Sequence, residues 1–394
     1  MSYKRLGDYI RKVDKKNTDL KVLNLQGLSM TKEFRKSTSN IVGTDLSKYK
    51  IVKQGQFCCD FMSVIRVHKL PVVLNDLGED VIISPAYIVF EVIDKNKLLS
   101  EYLMMWFRRA EFDRYADFRC DSSIRGGFQW EELCEVELPV PPIEKQREIV
   151  SEYQAVADKI KVNEQICEKL EATAQALYKH WFVDGIDVKN LPEGWRMSNL
   201  KAICEKIGSG STPTGGKESY STSGVSLIRS TNVFDYNFSF SDLAFINEEQ
   251  AYNLKNVEVK ENDILFNITG VSVARCCMVP ENVLPARVNQ HVMIIRPFKD
   301  LNISFYLLLN LCSTESKNAL LGISQSGSTR EAITKSEIEE YEVLIPKRDV
   351  LERFENTMQK IFLKKDLKSL QNQKLTHLQS LLLSRLSRFE RMEN

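Results

Sequence analysis

The sequence predicts a mixed α/β (α+β) fold in which two similar domains alternate with two long helices, paired antiparallel as a coiled coil about a pseudo-twofold axis. Three observations carry that prediction. The first is a repeat at a constant offset of 205 positions: EELCEVELPVPP (Glu131 to Pro142) lies over SEIEEYEVLIPK (Ser336 to Lys347). Glu132 falls on Glu337, Glu135 on Glu340, Glu137 on Glu342 and Pro141 on Pro346, and the register continues to Gln154 over Gln359 and Leu177 over Leu382. Upstream, Ser123 and Arg125 fall on Ser328 and Arg330. A period this long marks a duplicated half-molecule, not a solenoid of short repeats. The second is a heptad seam, and the third is a set of short β-rich runs bounded by turn residues, found on both sides of it.

Taken in order, residues 1–140 form the first domain. VLNLQGL (Val22 to Leu28), VVLNDLG (Val72 to Gly78) and VIISPAYIVFEV (Val81 to Val92) read as strands between Gly, Asn, Asp and Pro punctuation. LLSEYLMMWFRRAEF (Leu98 to Phe112) reads as a helix. Pro141 and Pro142 then break the strand pattern and pre-set a helix start. Residues 141–185 form the central helix, where Ile149, Tyr153, Val156, Ile160, Asn163, Cys167, Leu170, Ala174, Leu177 and Trp181 alternate spacings of four and three. This is a coiled-coil seam, and at 1.5 Å per residue such a helix spans roughly 60 Å. Asn163 lies in the seam, either as a polar register pin or as a tolerated edge position.

Residues 186–345 form the second domain. It begins at LPEGW (Leu191 to Trp195), and its strands are VSLIRSTNVF, DILFNITG and HVMIIRPF. The helix ISFYLLLNLC (Ile303 to Cys312) answers the Leu98 to Phe112 helix. Residues 346–394 form the second long helix, with a seam through Phe354, Met358 and Ile361, then more loosely through Leu367, Leu370, Leu378, Leu381 and Leu382. So leucine-rich a helix needs a partner to cover it, and the first long helix is the economical one.

Composition and absent motifs narrow the function. At 43% hydrophobic and 27% charged the chain can build ordinary soluble cores, and no apolar run is long enough to span a membrane. The N-terminal MSYKRLGDYIRK has no apolar signal region. The nine cysteines include vicinal pairs at Cys58–Cys59 and Cys276–Cys277 but no C-x-x-C, so reduced, buried thiols in a cytoplasmic protein are expected. Because the formal charge is only +1, any DNA contact must come from the arrangement of charge or from basic partners. There is no G-x-x-x-x-G-K-[ST] phosphate loop, no dinucleotide-binding glycine spacing in Gly208 to Gly216 and no [DN]-P-P-[YF] motif. His68, His180, His291 and His377 are not paired at metal-ligand spacing. No catalytic, cofactor or metal residue is nominated.

The chain resembles the specificity (S) subunits of type I restriction–modification systems. The resemblance is carried by the module order, P-P-x-x-x-Q-x-x-I at Pro141 to Ile149, KLEATAQALYKHWF (Lys169 to Phe182), LPEGW with GSGSTP, DILFNITG, and SGSTREAITKSEIEEYEVLIP before the last helix. Two departures stand out: the first domain lacks the glycine–serine loop, and Lys347 replaces the second proline of the first copy. The resemblance implies a non-catalytic subunit with two target-recognition domains, each reading half of a bipartite, asymmetric site in double-stranded DNA. Two modification (methyltransferase) subunits would dock beside the helices and restriction subunits would join them. S-adenosylmethionine, ATP and Mg would belong to those partners.

Base edges are read by Arg, Asn, Gln, Ser and Thr on exposed loops. The candidates are Asn24, Gln26, Arg66, Arg119, Ser122, Ser123 and Arg125 in the first domain. In the second they are Ser209, Ser211, Thr212, Arg229, Thr231, Asn232, Asn267, Thr269, Arg275, Gln325, Ser326, Ser328 and Arg330. Ser123/Ser328 and Arg125/Arg330 recur in both copies, which suits phosphate contact or structure better than the reading of two different half-sites. Phe57, Phe61, Phe266 and Trp130 are assigned to the core. Rival classes are an enzyme fused to a recognition domain, which lacks its motif, and a pure coiled-coil dimeriser, which leaves two β-rich domains unexplained.

Overall fold

The computed structural model describes residues 3–37, 43–120, 128–213, 216, 220–326 (the side chain of Ser326 excepted) and 332–386. The chain forms two compact units, Met1–Asn163 with Leu370–Asn394, and Glu164–Ser369. Each unit therefore takes half of each long helix. Among the described residues no helix is long and apolar enough to cross a membrane.

The first unit is built round a four-stranded sheet in the order Ile10–Val13, Ile88–Val92, Phe57–Cys59, Val72–Leu74, every pair antiparallel. Strand periodicity sends neighbouring residues to opposite faces. Phe57 and Cys59 accordingly join one core with Phe90, Tyr102, Leu103 and Phe107. Cys58 enters a second core with Val52, Val81, Ile83 and Val89. The first core lies under the helix Ser100–Phe107, and the second is shared with the paired strands Lys50–Val52 and Val81–Ile83.

The second unit repeats the plan. Its sheet runs Cys204–Ser209, Val292–Pro297, Ile264–Asn267, Cys276–Met278, again antiparallel throughout. Ile264, Phe266, Met293, Ile295 and Cys276 face one core, while Leu265, Val292, Ile294 and Cys277 face another. The vicinal cysteines of both units are thus explained by the pleat, and all are free thiols. A second sheet, Ala244–Ile246, Val225–Ile228, Ala286–Val288, Glu258–Val259, contains the parallel pair Val225–Ile228 and Ala286–Val288.

The 205-residue offset holds in space where the sequence shows it. Helices Trp130–Cys134 and Lys335–Glu340, strands Glu137–Pro139 and Glu342–Ile345, and the long-helix starts at Ile143 and Arg348 correspond. At the start of each unit the offset is different. Arg5 stands opposite Glu137 and Asn199 opposite Glu342, so the second domain has extra residues inside it.

The predicted helix over Leu98 to Phe112 is two helices, Ser100–Phe107 and Ala110–Phe118, broken at Arg108–Arg109. The first long helix, Ile143–Phe182, buries or half-buries every seam position named above. In the first unit Asn163 is fully buried and donates from Nδ2 to Gln371 Oε1 (3.1 Å) and Asn372 Oδ1 (2.8 Å), while Asn372 Nδ2 donates to the Ile160 carbonyl (3.2 Å). Ile149 and Val150 pack against the same core as Leu382, Leu383 and Leu386. In the second unit Lys365 Nζ bonds Glu171 (3.0 Å), and Phe182 and Trp181 meet Phe354 at ring distances of 4.7 and 5.7 Å. Within each unit, residues ascending the first helix meet residues descending the second. The helices are antiparallel.

The second long helix, Arg348–Arg385, departs from its predicted seam. Leu367 (58% exposed), Leu370, Leu378 and Leu381 lie on its outer face. Leu351, Phe354, Met358 and Phe362 are buried, and so are the charged Glu355 and Lys365. Glu355 accepts the backbone N–H groups of Phe305 (3.2 Å) and Tyr306 (2.6 Å) at the start of the helix Ser304–Cys312. Those donors have no partner within their own helix. In the first unit Gln146 does the same work: its Oε1 accepts the Leu99 N–H (2.9 Å), and its Nε2 donates to the Lys97 and Pro141 carbonyls (both 2.8 Å).

Candidate nucleic-acid interface

The strand ends of the second unit bring its polar loops to one edge. Gly210 N–H donates to the Asn289 carbonyl (3.1 Å), and Asn289 N–H to the Ile228 carbonyl (3.1 Å). Ile268 N–H donates to the His291 carbonyl (3.0 Å), and Asn267 Nδ2 to the Ser230 carbonyl (3.0 Å). The loops beginning at 210, 229, 268 and 289 are therefore stitched side by side. Gly210 is required there, because a Cβ would lie 1.7 Å from the Val288 carbonyl oxygen. Ile333 N–H donates to the Ile268 carbonyl (2.9 Å), so Ile333 lies at the same edge.

In the first unit Phe128 N–H donates likewise to the Phe61 carbonyl (3.2 Å). In sequence, the candidates Ser122, Ser123 and Arg125 precede it. Those three residues, with Ser328 and Arg330, lie outside the described residues. The loop that follows Phe57–Cys59 is held by Asp60, whose carboxylate accepts the N–H groups of Met62 (3.1 Å) and Ser63 (3.2 Å) and the Ser63 hydroxyl (2.5 Å). The two edges share a plan and each exposes an apolar side chain, Met62 (70%) and Val271 (97%), but their polar groups differ: Asp60 with Ser63 on the first, Thr269 with His291 on the second.

The predicted readers divide into groups. Asn232 and Asn267 are wholly buried and must be corrected from readers to braces. Asn232 Nδ2 donates to the Ser239 (3.0 Å) and Ser241 (3.1 Å) carbonyls and its Oδ1 accepts the Arg229 N–H (3.0 Å), all within an enclosed site that a ligand does not reach. Asn267 also donates toward the Val233 carbonyl (3.4 Å). Arg119 is an exposed residue ion-paired to Glu132. Arg66 is exposed on the short helix Val64–Val67, bonded to Ser63 Oγ (3.1 Å). Gln26 Nε2 donates to Asn24 Oδ1 (2.6 Å), and Asn24 Nδ2 donates to Glu79 (2.8 Å), which makes a half-exposed polar cluster.

At the edge of the second unit, Ser209 ends its strand, and Ser211, Thr212 and Thr231 are at or near the surface. Arg229 lies over the Tyr220 ring (5.8 Å) and donates to the Asp242 carbonyl, with its Nε buried and unpartnered. Arg275 lies over the Phe234 ring at 5.2 Å. Gln325 is exposed near the end of the helix Thr314–Ser326, with Ser326 as its last residue. Phe57 and Phe266 are core residues, and Phe61 and Trp130 pack on the core as assigned.

The sequence reading missed Gln290 and His291. Thr212 Oγ1 donates to Gln290 Oε1, Gln290 Nε2 lies 3.1 Å from His291 Nε2, and His291 Nδ1 lies 2.7 Å from Thr269 Oγ1. The signal available was a polar triplet, Asn289-Gln290-His291, wedged between two β-rich runs. Among the described residues, Asp235, Cys276 and Cys312 bring metal-type donors within 4.8 Å of one another. The Lys317 ammonium already sits 2.6 Å from Asp235 Oδ1, so that cluster carries its own cation.

Two sheet-based units on one plan, each with a loop edge and half of a helix pair, define a duplicated two-unit fold. The type I restriction modification DNA specificity domain matches residues 192–377. The MjaIX type I restriction enzyme specificity subunit of Methanocaldococcus jannaschii is 26% identical over 290 residues, covering 69% of this chain and 64% of that relative. The HindI specificity subunit of Haemophilus influenzae is 22% identical over 378 residues, covering 79% of this chain and 81% of its own. In fold, the chain is similar to the type I restriction–modification S subunit from M. genitalium, with a TM-score of 0.56 at 12% identity over 98% of this chain and 95% of that one. The chain is similar, in sequence over its second half and in fold over its length, to the specificity subunits of type I restriction–modification systems.

Proposed function

We propose that each unit reads one half of a bipartite, asymmetric site in double-stranded DNA, and that the long helices dock methyltransferase subunits. The observation that carries this reading is the repeated sheet order and loop edge combined with unlike loop chemistry. A shared plan places two readers alike, and unlike side chains let them select different bases. Docking is supported by the outer face of the second long helix. Leu363 and Leu367 in the part belonging to the second unit, and Leu370, Leu378 and Leu381 in the part belonging to the first, are between 41% and 60% exposed. An apolar stripe of this kind marks a binding face.

On this reading the chain supplies recognition without chemistry. S-adenosylmethionine, ATP and Mg belong to the modification and restriction subunits, and few phosphates are neutralised by a protein of formal charge +1. The test is to assemble the chain with its methyltransferase and map methylated positions by sequencing. A single two-part motif with a fixed spacer is expected. Methylation of an undivided motif would refute the reading.

A further inference from the structure

We infer that Gln290 and His291, with Thr269 and Thr212, form a reading relay of fixed polarity that selects a guanine in the half-site of the second unit. The inference rests on the proposed DNA-reading function and names a determinant within it. The hydrogen bonds of this cluster run in one direction. Gln290 is exposed at the loop edge, and its Oε1 is taken by the Thr212 hydroxyl. Its Nε2 can only donate, so His291 Nε2 accepts at 3.1 Å. The neutral ring then carries its proton on Nδ1 and donates it to Thr269 Oγ1 at 2.7 Å. With its oxygen engaged by the ring, the Thr269 hydroxyl keeps its own hydrogen for another acceptor.

The consequence is a surface with two spare donors, the Thr269 hydroxyl and the second Gln290 amide hydrogen. Glutamine commonly reads adenine by donating to N7 and accepting from N6, which needs a free amide oxygen. Here one lone pair of that oxygen is already taken by the Thr212 hydroxyl, so the N6 donor of an adenine has only the other to meet. A face richer in free donors than in free acceptors matches best the base whose major-groove edge is acceptor-only, guanine with N7 and O6. The relay is held firmly, because Asn289, 5% exposed, accepts the His291 N–H on its Oδ1 (3.0 Å) and the His291 carbonyl accepts from Ile268.

The experiment uses the complete chain assembled with its methyltransferase and compares methylation motifs of wild type, Gln290→Ala and His291→Asn by sequencing. Gln290 is exposed, so Gln290→Ala is expected to melt with the wild type, and His291→Asn supplies an independent break in the relay. The expected result is that one G·C pair in the half-site of the second unit relaxes, with discrimination falling about tenfold. The other half-site should keep its bases. Unchanged motifs in both variants, or relaxation at an A·T pair, overturn the relay while leaving the two-reader function in place. A wild-type complex that yields no two-part motif removes that function, and the relay with it.

Discussion

Glu355 shows how much one buried side chain can impose. It is 4% exposed, caps the helix Ser304–Cys312, and burial pushes its carboxyl up to about 7 although the Tyr306 and Phe305 N–H groups pull it down. Between the unfolded value near 4.5 and about 7, the folded chain keeps a proton that the unfolded chain releases. Stability should therefore fall as pH rises through this window and level off above it, by about 3 kcal/mol in all. Glu355→Gln should flatten that dependence in melting curves taken from pH 4.5 to 8, and an unchanged slope would count against the assignment. Gly210→Ala forces a Cβ onto the Val288 carbonyl and should cost about 1–3 kcal/mol, read as a lowered melting temperature. At this scale the sequence was only partly legible. Asn232 and Asn267 have reader chemistry, yet the carbonyls that consume it come from elsewhere in the fold. Gln290 and His291 became visible only when folding set them beside Thr212 and Thr269.

Among the elements, the first long helix was the most legible, since its seam is apolar at nearly every position and period alone locates its buried face. Its partner is legible only in part: Phe354, Met358, Ile361 and Leu382 lie inward as the seam predicts, while Leu367, Leu370, Leu378 and Leu381 do not. Leucines were expected inward, but Glu355 and Lys365 take inward places because backbone N–H groups in one case, and Glu171 with the Tyr236 carbonyl in the other, satisfy them. A hydrophobic pattern cannot anticipate partners of that kind. The polar layer at Asn163 offers a direct check. Asn163→Leu takes the donor from the half-buried Asn372 Oδ1 and should destabilise by about 1–3 kcal/mol, whereas the double change Asn163→Leu with Asn372→Leu should recover most of it. Equal effects from the single and double variants, measured by chemical denaturation, would show that the layer is not coupled. On the opposite face, Leu378→Glu and Leu381→Glu should leave the melting temperature of the isolated chain within about 2 °C. Both changes should weaken methyltransferase docking in co-purification, and undiminished docking would place the partner elsewhere.

For the whole molecule, the duplication was readable because the repeated segments are those that build shared structure: the helix Trp130–Cys134 and its counterpart, the strands that follow, and the long-helix starts. Outside the pairs Ser123/Ser328 and Arg125/Arg330, the candidate readers of the two domains do not repeat at this offset, as expected if they select different bases. A chain this balanced in charge should bind DNA weakly by itself, with affinity falling steeply with salt, and specifically only beside its partner. Tight, specific binding by the isolated chain at physiological salt would contradict that. The central claim is that each unit reads alone, and exchange of residues 186–335 for the matching segment of a relative tests it most directly. The hybrid, assembled with its methyltransferase and mapped by methylation sequencing, is predicted to change one half-site and keep the other. A change in both half-sites together would contradict the account.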